Sequence, residues 1–74
     1  MMIIAKPRTD GFMNVLQVID VIRELSHSQG FYSRLYRNIL LMHERDKEAF
    51  DKFTEWVESK NFKDTLDVVM FFEC

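Results

Sequence analysis

The stretch Phe12-Met13-Asn14-Val15-Leu16-Gln17-Val18-Ile19-Asp20-Val21-Ile22-Arg23-Glu24-Leu25 decides the fold. Phe12, Val15, Leu16, Ile19, Ile22 and Leu25 recur at spacings of three and four, which gathers them on one face of a helix. Val18 and Val21 widen that face, and Asp20, Arg23 and Glu24 take the wet side. Thr9 or Asp10, just upstream, can accept a bond from an unpaired N–H of a first turn, so the helix is predicted to start there.

Downstream, Ser26-His27-Ser28-Gln29-Gly30 interrupts the period. Ser28 is the expected cap of a second helix, and Gly30 lets the chain bend close to its neighbour. Phe31, Leu35, Ile39 and Met42 then form a core stripe, flanked by Tyr32, Tyr36, Leu40 and Leu41. As the most apolar long element, this helix is expected at the centre of the fold.

Glu44-Arg45-Asp46-Lys47 is a charged connection, and Asp46 can cap a third helix. Ala49, Phe50, Phe53, Trp56 and Val57 are expected inward, and Glu48 with Lys52 should form an i,i+4 pair of about 0.3–0.5 kcal/mol. Asn61 suits a helix stop. After a short link, Phe62-Lys63, Asp64 caps a fourth helix whose Leu66, Val69 and Met70 are expected to face the core. Asp67 in its first turn favours the positive helix end. A strand over 66–72 competes, because β-branched and aromatic residues suit strands. The aspartate cap and the want of a partner strand favour helix.

One proline and two glycines are too few for the many turns of a sandwich or barrel. The expectation is therefore an all-α single domain over 1–74, a compact bundle of three to four short helices. Residues 1–8 are expected as a stray strand or a disordered tail.

A chain of 74 residues is small for a stable core and needs help from disulfides, a metal or oligomerisation. Its one cysteine, Cys74, cannot form an internal bridge, and a terminal cysteine reads as incidental. Met1–Ala5 is too short for a secretory h-region, and the uncharged run Val68–Phe72 is too short for a membrane span. Together these point to a reducing cytoplasm.

Hydrophobic residues make up 47% of the chain and aromatics 14%, more than four short helices can bury. The leftover Leu40, Leu41, Val68, Phe71 and Phe72 are expected to form an interface, most economically that of a homodimer, or to meet another protein. Glu48, Asp51, Glu55 and Glu58 make an acidic face on the third helix, read first as solvated and second as a surface for a basic partner.

Charge is unevenly placed. Residues 1–43 carry five basic and three acidic side chains, and residues 44–74 carry five basic and nine acidic. Whole-molecule attraction to nucleic acid is therefore not expected. A local alternative is a helix-turn-helix in which the second helix offers Tyr32, Arg34, Arg37 and Asn38 to DNA, arginine suiting guanine or phosphate and asparagine adenine. Two arginines are a thin basic footprint.

Catalysis finds little support. Two isolated glycines cannot cradle a phosphate, and His27 and His43 lie near predicted helix ends, where the dipole suits them. Glu24-Leu25-Ser26-His27 with Asp20 is one step of a di-iron pattern that needs two, so a second copy, with Glu44 or Asp20, would have to supply the rest. No enzyme activity, metal or cofactor is expected.

The runs Ser28-Gln29-Gly30-Phe31-Tyr32-Ser33-Arg34-Leu35-Tyr36-Arg37 and Asn61-Phe62-Lys63-Asp64, with Asp67-Val68-Val69-Met70-Phe71-Phe72-Glu73, resemble small uncharacterised proteins encoded by phages and prophages of Gram-positive bacteria. The likeness spans roughly residues 15–73, with Ser33 where such proteins often have glycine. It implies an accessory product acting in the host cytoplasm by binding a host protein, regulating transcription or countering defence. It assigns no functional residues.

Overall fold

A computed structural model describes residues 10–73. The expected tail at 1–8, Thr9 as a cap and Cys74 lie outside them. All elements of the described chain are helices: α1 (Val15–Ser26), α2 (Gly30–Arg45), α3 (Lys47–Ser59) and α4 (Thr65–Glu73). The segment 66–72 is helical, as the Asp64 cap implied.

Helix α1 starts later than Thr9 or Asp10 would place it. The Asp10 carboxylate accepts from the Phe12 N–H at 3.1 Å and closes a turn instead of a helix. Gly11 follows with φ +85°, a left-handed conformation that suits glycine and breaks the period. The cap is Asn14. Its Oδ1 accepts from the Gln17 N–H at 3.0 Å while Gln17 Oε1 accepts from the Asn14 N–H at 2.8 Å, a reciprocal capping box. The Met13 N–H donates to the Phe62 carbonyl at 2.7 Å, which ties the lead-in to the link before α4.

Ser28 does not cap α2. Its hydroxyl turns back to the Leu25 carbonyl, and Gln29 occupies the cap position with no side-chain bond. A single residue, Asp46, joins α2 to α3. Its N–H donates to the Met42 carbonyl at 2.8 Å, and its carboxylate accepts from the Ala49 N–H at 3.1 Å. Beyond α3, Asn61 takes φ 57°, the left-handed stop foreseen for it. Asp64 Oδ1 then accepts from the Asp67 N–H, while Asp67 Oδ2 accepts from the Lys63 N–H, locking both sides of the α4 start.

Helix α1, not α2, is central: its backbone packs against α2, α3 and α4, whereas that of α2 packs only against α1 and α3. The reason is in the side chains. Helix α1 buries Val15, Val18, Ile19 and Ile22, while α2 buries only Tyr32 and Ile39. Phe50, Val57, Phe62 and Val68 complete the core.

Three faces turn out differently from the expected stripes. On α2, Phe31 is 47% exposed and its neighbour Tyr32 is buried, with the Tyr32 hydroxyl donating to the Val69 carbonyl at 3.2 Å. On α3, Trp56 sits at the surface while Phe50 and Val57 face in. On α4, Val68 is fully buried, and Leu66 and Met70 are 63% and 59% exposed. Helix α4 is apolar nearly all round, so periodicity selects no face. The Asp67 bond to the Lys63 N–H and the Tyr32 bond to Val69 set its rotation instead. Glu48 and Lys52 form no ion pair among the described residues. Such a pair at an exposed site gains little over the side-chain entropy it costs.

Candidate docking surfaces

The fold divides the predicted interface residues among separate places. Val68 is core. Leu40 and Leu41 are exposed on α2, while Phe71 is exposed on α4, and those two helices do not pack on each other. Phe72, one residue on, is half-buried beneath Phe71.

What gathers around Phe71 is an aromatic plate that sequence reading missed. Trp56 of α3 meets Phe71 of α4 edge to face, with ring centroids 5.3 Å apart and planes at 62°. Phe62 lies under both phenylalanines, 5.3 Å from Phe71 and 6.1 Å from Phe72. Phe53 continues the array along α3, 6.2 Å from Trp56. Edge-to-face pairs at these distances hold their rings more firmly than area burial alone would. Lys60, one helical turn after Trp56, places its Nζ 5.4 Å from the Trp56 centroid and 5.8 Å from that of Phe71. Exposed cation–π contacts of this kind contribute about 0.5–1 kcal/mol. Trp56 and Phe71 remain 39% and 37% exposed, so the plate has a rigid buried base and an open top. The only trace in the sequence is the Trp56–Lys60 spacing; Phe71 comes to it through tertiary packing.

A second surface is the outer side of α2, where Arg34, Arg37, Asn38 and Leu41 are all exposed. Tyr32 is not part of it, because its ring is buried and its hydroxyl is committed to Val69. Burial, and then the nearby Glu73 carboxylate, push the Tyr32 phenol above its ordinary value of 10.0.

The third surface is α3, where Glu48, Asp51 and Glu55 are exposed along one line and Glu58 is half-buried at its edge.

An open cleft of about 430 Å³, lined by Gln29, Phe31, Phe72 and Glu73, separates the start of α2 from the end of α4. The metal trace takes another form: Asp20 and Glu24 share Arg23, whose Nη2 stands 2.8 Å from Asp20 Oδ1 and 3.9 Å from Glu24 Oε1. Among the described residues no three His, Cys, Asp or Glu side chains converge as metal ligands would. His27 caps the end of α1, and His43 packs on Phe50 with centroids 4.9 Å apart. No helix of the described residues is long and apolar enough to cross a membrane.

No protein-family model matches the sequence, and no curated protein or solved structure matches it either.

Proposed function

We propose that the protein is a small protein-binding module, with the Trp56–Phe71 plate as its docking site for a partner protein and a second copy of itself as a further partner. One observation carries this reading: Trp56 and Phe71 stand at the surface edge to face against each other, with Phe71 seated on the buried Phe62 and Trp56 on the half-buried Phe72. Interface hot spots favour aromatic anchors of this kind, above all tryptophan, because a preordered ring loses little freedom on binding. The likeness to phage-encoded proteins supports an accessory role in a bacterial host.

A second reading has its own support. Arg34, Arg37 and Asn38 share the exposed side of α2, and a short turn precedes that helix, as in a DNA-reading helix-turn-helix. Against it stand the acidic face of the adjoining α3 and the withdrawal of Tyr32 into the core.

The test is affinity capture from bacterial lysate, with and without nuclease, read by mass spectrometry. The baits are the wild-type chain, Trp56→Ser and the double variant Arg34→Ala/Arg37→Ala, each checked for helicity. A hot-spot loss of about 2 kcal/mol weakens binding about thirtyfold. A partner that survives nuclease, stays with the arginine variant and is lost with Trp56→Ser is the expected result. A partner retained by Trp56→Ser removes the plate from the account. Nucleic acid recovered only while Arg34 and Arg37 are intact makes the DNA reading the better one.

A further inference from the structure

Two lines of exposed residues on neighbouring helices differ in the sign of their leading charges. The outer face of α2 carries Arg34 and Arg37 with Leu41 in line; that of α3 carries Glu48, Asp51 and Glu55. Both lines run at i, i+3, i+7, so the first two charges of each are separated by about 4.5 Å of helical rise. None of these five charged side chains forms an ion pair among the described residues. Both lines point outward, and so cannot meet within one molecule. Yet α2 and α3 pack together and only Asp46 lies between them, so the two lines stand on adjoining helices.

We propose that two copies of the chain pair about a two-fold axis at this surface, the arginine line of α2 on each copy lying against the acidic line of α3 on the other. This rests on the reading of the chain as a self-associating module and names its contact. A two-fold interface uses the same patch twice, so a patch that carries both signs side by side complements itself. Leu40 and Leu41, exposed near the end of α2 that leads into α3, supply the apolar centre, and the arginine–carboxylate pairs surround it. Glu44 continues the α2 line at i+10 and Lys52 stands one turn from both Glu48 and Glu55, so the matched charges are Arg34 and Arg37 against Glu48, Asp51 and Glu55. The Trp56–Phe71 plate lies on the side of α3 toward α4, which leaves it open to a different partner.

Charge swapping tests the pairing directly. Sedimentation equilibrium of the full chain is expected to give twice the 8.9 kDa chain mass. Raising salt from about 0.1 M to about 1 M shortens the screening length from about 10 Å to about 3 Å and is expected to weaken association about tenfold or more. Arg34→Glu/Arg37→Glu places acid against acid, and Glu48→Lys/Asp51→Lys/Glu55→Lys places base against base. Each alone is expected at the single-chain mass with wild-type helicity. Mixed, they restore both contacts and are expected to form a one-to-one pair. Dimers of wild-type strength in either variant alone, or two that stay apart when mixed, overturn the α2–α3 pairing while self-association stands. A wild-type chain that sediments at single-chain mass throughout overturns self-association itself, and the Trp56 capture experiment then decides the plate separately.

Discussion

Tyr32 combines a fully buried ring with a hydroxyl that donates to the Val69 carbonyl 37 positions away in the chain. That bond is a side-chain link between α2 and α4, whose backbones are not neighbours. A buried hydroxyl that keeps its partner contributes about 1 kcal/mol. Tyr32→Phe is therefore expected to lower stability by about that much in urea unfolding near neutral pH. The dependence on pH has a definite direction. Burial and Glu73 raise the phenol of the folded chain above 10.0, so the unfolded chain loses its proton first. The stabilisation from Tyr32 is thus complete below about pH 10 and drains away as pH rises through the folded value. The gap between wild type and Tyr32→Phe is expected to narrow above about pH 10; a gap that holds to about pH 11 excludes the Tyr32 proton as its source. Phe62 is the other decisive residue. In the sequence it reads as part of a two-residue link, yet it is 3% exposed and underlies the aromatic plate. Phe62→Ala is expected to cost about 3–5 kcal/mol, most of the stability of a domain this small, and to abolish a cooperative thermal transition.

At the scale of elements, the caps differ in quality. Helix α1 has a complete capping box at Asn14 and Gln17, so Asn14→Ala is expected to cost about 1 kcal/mol in chemical denaturation. Helix α2 starts at Gln29 with no side-chain bond to its first turn. Gln29→Ser supplies an acceptor of suitable length and is expected to stabilise by about 0.5–1 kcal/mol; an unchanged unfolding midpoint would mean that this first turn is already satisfied. Element type was legible because polar caps at Asp46 and Asp64 and the stop at Asn61 act over three or four residues of chain. Element rotation was legible only where apolar and polar sides are well separated, as on α1. On α4, with Leu66, Val68, Val69, Met70, Phe71 and Phe72 in nine residues, every rotation buries something apolar, and the long-range bond to Tyr32 and the local bond to Lys63 go with the one adopted. The aromatic plate was illegible for the same reason: Trp56 reads as core by spacing, and its exposure depends on where α4 lies. The acidic line on α3 and the arginine line on α2 were legible, since exposed charge on a helix needs only local period to be placed.

At the scale of the whole molecule, the proposed self-association makes a prediction about stability. A chain that folds and pairs in a single step is stabilised by its own concentration. Each tenfold increase adds about 1.4 kcal/mol per dimer, set by the same mass-action relation that governs any ligand binding only the folded state. Two chains share that gain, and each unfolds with an entropy of about 2 cal/mol/K per residue. For two chains of 74 residues, the expected rise in Tm is about 4–5 °C per tenfold in concentration. Differential scanning calorimetry over two decades of concentration resolves a slope of that size. The charge-reversed α2 variant carries the same core and should melt at a Tm that ignores concentration. If the wild-type Tm is equally indifferent, the buried residues around α1 stabilise the chain unaided. Leu40 and Leu41 must then be explained as the surface for a different protein, because pairing adds nothing to the fold.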